Sequence, residues 1–254
     1  RISLVIRGMK NEDGPERKTK QPVTLRHLQG IHEDLQAQKL GKKGSAIWAA
    51  ACLCFFFCLR SKNAVSKDKT RRFDPSYIIK RSDIRFLAVQ GESVRGVELT
   101  PETAPSITRM VINVGRTKTG PGFQRGINAT KHPFICVVKA VISHLLATPG
   151  LPGDAPVCAY DDYLEEGETT KLVVTRQELA AAVKATALRL GDKVEDYATH
   201  SFRIGSATAM AAACFPDSFT MYWGLWKSAS YRLYIRHTEE DPWESKLPDA
   251  LISQ

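Results

Sequence analysis

No stretch of this 254-residue chain is apolar for long enough to span a bilayer. The most apolar run, Ala46 to Leu59 (AIWAAACLCFFFCL), falls short of the roughly 18 to 20 residues that a spanning helix needs and reads as a buried helix. Nor do the six cysteines make a disulfide framework or a metal-ligand spacing. Cys52, Cys54 and Cys58 crowd into that apolar run while Cys136, Cys158 and Cys214 are scattered, which predicts reduced core thiols in a reducing compartment. Internal repeats and low-complexity tracts are absent. So are a paired-carboxylate site, a glycine-rich phosphate loop and a Cys/His cluster, the usual marks of metal- or nucleotide-dependent chemistry.

What the chain does have is a core and an excess of positive charge. Hydrophobic residues make up 43% of it, enough for one large domain or two small ones. Lys and Arg total 36 against 27 Asp and Glu, a formal charge of +9 that favours a polyanionic partner, of which nucleic acid is the commonest. The chain starts at Arg1, and RISLVIRGMK reads as the end of an element whose beginning is missing. Residues 10–22, charged and containing Gly and Pro, read as a linker. Helices follow: Thr24 can cap a segment with Leu25, Leu28, Ile31 and Leu35 at helical spacing, and Ser45 can cap the buried helix, which is expected to end near Leu59-Arg60. The basic segment SKNAVSKDKTRR is expected to be exposed.

Between Ile84 and Lys131 the pattern changes to short runs rich in Val, Ile and Phe, which predicts a small antiparallel sheet. Its clearest hairpin tip is RTKTGPGFQRG, with Gly120, Pro121 and Gly122 as turn residues beside Lys118. Helices return with PFICVVKAVISHLLA and with VTRQELAAAVKATALRLG, where Thr175 and Glu178 can form a capping box and Gly191 stops the helix. Three more helical stretches, SFRIGSATAMAAA, DSFTMYWGL and SASYRLYIR, precede a tail. The fold expected is mainly α with a small antiparallel β-sheet, with boundaries at 1–22, 23–240 and 241–254.

The densest local pattern is HSFRIG, His200 to Gly205, whose His and Arg share one helix face and can address one anion. Trp226 and Tyr234 follow within GLWKSASYRLYIR, and upstream lie Arg60 in CLRSKNAV and Lys118 at the hairpin. This order of Arg, Lys, His-x-x-Arg, Trp and Tyr resembles the catalytic set of the tyrosine recombinases, or phage integrase family. The wording of the motifs is most similar to recombinases of eukaryotic mobile elements, the DIRS-like retrotransposons and the Cryptons. The resemblance covers roughly residues 24–240.

It implies a chemistry for which these residue types are suited. A phosphodiester transition state gathers charge on its non-bridging oxygens, and two arginines, Arg60 and Arg203, can grip them with planar, permanently charged forks. A tyrosine with an ordinary pKa of about 10 needs help to attack, from His200 as proton acceptor and from the arginines as field. By the resemblance, Lys118 protonates the departing 5′ oxygen, Trp226 supports the phosphate by hydrogen bonding and packing, and Tyr234 is the nucleophile. A 3′-phosphotyrosine linkage keeps the bond energy for rejoining, so no cofactor, metal or nucleotide is required. Implied too are double-stranded DNA as partner, a homo-tetramer on two sites, no membrane, and a nuclear location if a eukaryotic element encodes the chain.

Plainer readings stand beside these. Arg60 at a helix end can complement the macrodipole, and Arg116, Arg125 and Lys131 can be solvated phosphate contacts. Tyr222 and Tyr231 compete with Tyr234, Tyr231 reading as a packing residue. His27, His32, His132, His144 and His237 show no partner in the sequence, and Trp48, Trp223 and Trp243 read as core or interface anchors. Asn63 departs from the family, where an acidic residue is usual. The patch Leu247 to Ile252 is a candidate contact with a neighbouring subunit or with its own domain. Two other functions stay open, a catalytically inert DNA-binding derivative and a type IB topoisomerase.

Overall fold

The structure, a computed structural model, describes residues 20–67, 73–117, 120–163 and 169–236. Lys118, His237, Trp243, the segment RISLVIRGMK, nearly all of the linker, the tail 241–254 and its Leu247 to Ile252 patch lie outside the described residues.

Two helices, α1 (Leu25–Ala37) and α2 (Gly41–Phe56), open the chain; strands β1 (Ile84–Ala88), β2 (Ser93–Arg95), β3 (Ile107–Thr117) and β4 (Gly120–Asn128) follow. After them come α3 (Val137–Ala147), the strand pair β5 (Ala159–Tyr163) and β6 (Thr169–Val173), α4 (Arg176–Arg189), α5 (His200–Ala212), α6 (Asp217–Gly224) and a 3-10 helix at Ala229–Tyr234. α2 is the hub. Apolar on every side from Ala46 to Phe55, it must be buried on every side, and it packs against α1, α3, α4, α5 and β5. Alanines 46, 49, 50 and 51 let those neighbours approach closely, and a fully buried residue such as Leu53 contributes about 1.5–3 kcal/mol.

The small sheet is antiparallel throughout, in the order β2-β1-β3-β4. In β1, Ile84, Phe86 and Ala88 alternate inward, as a strand with one covered face requires. Gly120 and Pro121, expected in a turn, are strand residues paired with Thr117 and Arg116. Gly122 is there because the strands run so close that a Cβ would lie 2.0 Å from the Val114 carbonyl oxygen.

Several boundaries differ from the sequence expectation. α2 begins at Gly41, not Ser45, because Lys42 and Lys43 extend its first turns by pairing with Asp161 (2.5 Å) and Glu178 (3.1 Å). Ser45 lies inside it, donating to the Lys42 carbonyl and meeting His144 Nδ1 at 2.9 Å. The helix stops at Phe56, and Cys58 takes a left-handed φ of 51°, so Arg60 lies beyond the helix in extended backbone. Asn63 to Ser66, expected to be exposed, are buried where Ser66 bridges to Thr175. Of the thiols, Cys214 is exposed and the other five are buried.

α3 starts only at Val137, after an extended Cys136, and the β5–β6 pair was not foreseen at all. The Thr175–Glu178 capping box forms as predicted, with Glu178 N–H donating to Thr175 Oγ1 at 3.1 Å and Thr175 N–H to Glu178 Oε2 at 2.7 Å. Gly191 ends that stretch with a φ of 84°. SASYRLYIR is a 3-10 turn rather than an α-helix. Among the described residues no helix is long and apolar enough to cross a membrane, and no group of His, Cys, Asp or Glu is placed to hold a metal ion.

Candidate active site

The first turn of α5 presents His200 and Arg203 on one face. Arg203 is buried, with 2% of its surface exposed, and it is held by backbone: its guanidinium donates to the carbonyl of Cys58, just past α2, and to that of Gly224 at 2.5 Å. Both acceptors lie at helix C-termini, whose unpaired carbonyls carry partial negative charge. Its Nε–H, buried, has no partner among the described residues.

At the end of α6 the chain reverses through left-handed Leu225 (φ 58°), and the Trp226 ring folds back over Gly224, where a Cβ would fall 1.6 Å from the indole. Trp226 thereby covers Arg203, whose Cζ stands 4.2 Å from the ring centroid. The 3-10 helix then delivers Tyr234 to the same place. Its ring centroid lies 5.1 Å from that of His200, edge to face, and 5.1 Å from that of Trp226, with the Arg203 Cζ 5.9 Å away. Thr208, two turns along α5, fixes the end of this arm by donating to the Tyr234 carbonyl at 3.2 Å and accepting the Arg236 N–H at 3.2 Å.

Arg60 lies near enough for its charge to act on Arg203, Tyr234 and His200. Burial, and then the like charge of Arg203, push its pKa below the ordinary value, while Tyr234 and Cys58 act in the opposite sense. His200 keeps an exposed edge, yet lost hydration and then the charges of Arg203, Arg60 and Arg176 push its pKa down to about 4. At neutral pH the imidazole is therefore uncharged and free to accept a proton. The structure thus brings together Arg60, His200, Arg203, Trp226 and Tyr234, five of the six residues singled out in the sequence.

No protein-family model matches the chain, and no curated protein sequence matches it. Solved structures do. The XerH site-specific recombinase bound to palindromic difH substrate, a post-cleavage complex, superposes with a TM-score of 0.53 over 92% of this chain at 13% identity. The XerH pre-cleavage complex gives 0.52 over 94% at 13%, and the XerA recombinase 0.51 over 94% at 11%. The fold is that of a tyrosine recombinase catalytic domain. The chain spans about half of XerH, 54% and 56% of its length in the two complexes, and 67% of XerA.

Within this recombinase fold the competing residues separate clearly. Tyr231 is buried beneath Trp226, and Tyr222 lies exposed against Arg125, so neither ring joins His200 and Arg203. Arg125 is a correction. Expected as a solvated phosphate contact, it is buried at 4% exposure, donates to the carbonyls of Tyr222 and Trp223, and stacks near Phe123, Tyr222 and Trp223. Arg116 and Lys131 are exposed.

Asn63 lies one 3-10 turn after Arg60, and its Nδ2 donates to the Tyr77 carbonyl at 2.8 Å. A carboxylate there has no proton to donate and would face that oxygen with like charge, so the amide suits this backbone. The described histidines away from the site have partners that the sequence did not reveal. His27 meets Thr24 Oγ1 (2.8 Å) and Asp192 (3.0 Å), His32 stacks on Phe134, His132 accepts the Ile135 N–H, and His144 meets Ser45 and the Ala159 carbonyl. Sequence reasoning also missed Thr208 and Arg176. The Arg176 Nε–H donates to Thr199 Oγ1 at 3.3 Å, beside His200.

Proposed function

We propose that this chain is the catalytic part of a site-specific DNA recombinase, cleaving and rejoining strands through a 3′-phosphotyrosine intermediate. The observation that carries this reading is the Tyr234 ring standing among His200, Arg203 and Trp226, with Arg60 near enough for its charge to act on Arg203, Tyr234 and His200. In the proposed step the scissile phosphate sits against Arg60 and Arg203, which hold the charge that grows on its non-bridging oxygens. Tyr234 Oη bonds to phosphorus and gives its proton to neutral His200. The bond from phosphorus to the 5′ oxygen breaks, and that oxygen takes a proton from Lys118. Rejoining is the reverse, and since a phosphodiester is exchanged for another phosphate ester, no metal or nucleotide is consumed.

The same reading makes duplex DNA the partner, in line with the charge of +9. It also takes the chain to be encoded by a eukaryotic mobile element of the DIRS or Crypton kind, working in the nucleus as a tetramer on two sites. A nicked suicide substrate tests it. The wild-type protein is expected to form a covalent protein–DNA adduct and Tyr234→Phe none. Absence of an adduct with wild type would leave the inert DNA-binding reading standing, whereas relaxation of supercoiled plasmid by a monomer without strand exchange would favour the topoisomerase.

A further inference from the structure

Two elements, β4 and α5, converge on three successive carbonyls, those of Tyr222, Trp223 and Gly224 at the C-terminal end of α6, and the end of α2 meets the Trp223 side chain beside them. From β4, Arg125 donates to the first two. From α5, Arg203 takes the third at 2.5 Å. From the end of α2, the Phe56 carbonyl accepts the Trp223 Nε1–H at 2.9 Å, and the Phe57 ring stacks on Trp223 with centroids 6.0 Å apart. The chain then turns through Leu225 straight into Trp226 and on to Tyr234.

A buried guanidinium without a carboxylate is costly unless oriented dipoles replace its water. Among the described residues Arg125 makes no ion pair. Its acceptors are the negative end of a helix, and three aromatic rings lie 4.4–5.0 Å from its Cζ. Only a planar fork reaches two adjacent carbonyls in this way; an ammonium is a single point of charge.

We propose that Arg125 is a positioning residue for strand cleavage. It fastens the origin of the arm bearing Trp226 and Tyr234 to the β3–β4 hairpin, so that hairpin and nucleophile reach the phosphate as one unit. The inference rests on the reading of Tyr234 as nucleophile. It differs from a merely structural role in what it predicts for the chemical step.

The test is single-turnover adduct formation by the full chain at saturating nicked DNA, with two substrates. One has the natural bridging 5′ oxygen and the other has sulfur in its place. In both, the bond from Tyr234 oxygen to phosphorus forms and the bond to the bridging atom breaks. A thiolate leaves without a proton, so sulfur removes any defect in the general acid. Arg125→Lys is expected to slow adduct formation about tenfold or more on both substrates, with DNA affinity within about twofold of wild type. Lys118→Ala is expected to be slow on the oxygen substrate alone. Arg125→Gln, neutral and able to donate to one of the two carbonyls, is expected to show a defect on both substrates, and it decides the question if Arg125→Lys does not fold. A near-wild-type rate for Arg125→Lys, a defect that sulfur erases, or weaker DNA binding at an unchanged rate would overturn the proposal. Failure of the underlying reading looks different, because wild type then forms no adduct on either substrate.

Discussion

Arg203 and Arg125 on one side, and Arg60 and Arg176 on the other, are four copies of one side chain put to two uses. The first pair is buried and hydrogen-bonded to carbonyls at helix ends, Cys58 and Gly224 for one and Tyr222 and Trp223 for the other. The second pair is half-buried or exposed, and among the described residues no backbone carbonyl accepts from either guanidinium. Where a guanidinium meets helix-end carbonyls it organises the protein, and under the proposed function the donors of Arg60 and Arg176 are the ones left for phosphate. In Arg203 two N–H groups hold backbone, and the buried Nε–H has no partner among the described residues.

Substitution separates the two uses. Arg203→Gln is expected to do the most damage, lowering the adduct rate by about a thousandfold and stability by about 3 kcal/mol, since it leaves buried carbonyls unpaired. Single-turnover kinetics and denaturant titration check it. Arg60→Gln is expected to lower the rate by about a hundredfold while stability stays within about 0.5 kcal/mol. A matching loss of stability would move Arg60 into the structural pair.

Next in size are two acid effects. Burial, and then Arg81, push the His144 pKa down to about 4, below its ordinary 6.5, so between these values the unfolded chain binds more protons. Stability should be full above pH 6.5 and fall by about 3 kcal/mol as pH drops to 4, read from denaturant midpoints. The His200 pKa, also about 4, predicts that adduct formation by folded protein is level from pH 7 to 5 and declines only near 4. A decline centred near 6.5 would show an ordinary imidazole. Asn63→Asp is expected to cost about 1–2 kcal/mol in stability, by setting a carboxylate against the Tyr77 carbonyl. The smallest effect is that of Arg176→Gln, which should reduce the salt slope of DNA binding by about one while leaving the saturated rate close to wild type.

What the sequence disclosed and what it hid divide along a similar line. Signals confined to a few neighbouring residues read true: the all-apolar run that makes α2 the hub, the Thr175–Glu178 box, and the helix opening with His200 and Arg203. Contacts made across the chain did not. Arg125 sits in a glycine- and glutamine-bearing strand like a surface residue, and its acceptor Trp223 is 98 positions away. The β5–β6 pair hides in YDDYLEEGETT, which is acidic and lacks the alternation of a half-buried strand. The start of α2 escaped because Lys42 and Lys43 find their carboxylates on β5 and α4, far away in sequence. Tyr234 was chosen over Tyr231 and Tyr222 from the motif, and the folded chain separates the three by burial and by ring contacts.

The most direct test of the account is to trap the covalent complex on a nicked substrate, digest it with protease, and locate the nucleotide-bearing peptide by mass. The account predicts a single modified residue, Tyr234. Attachment at Tyr231 or Tyr222, or an adduct that persists in Tyr234→Phe, would contradict it.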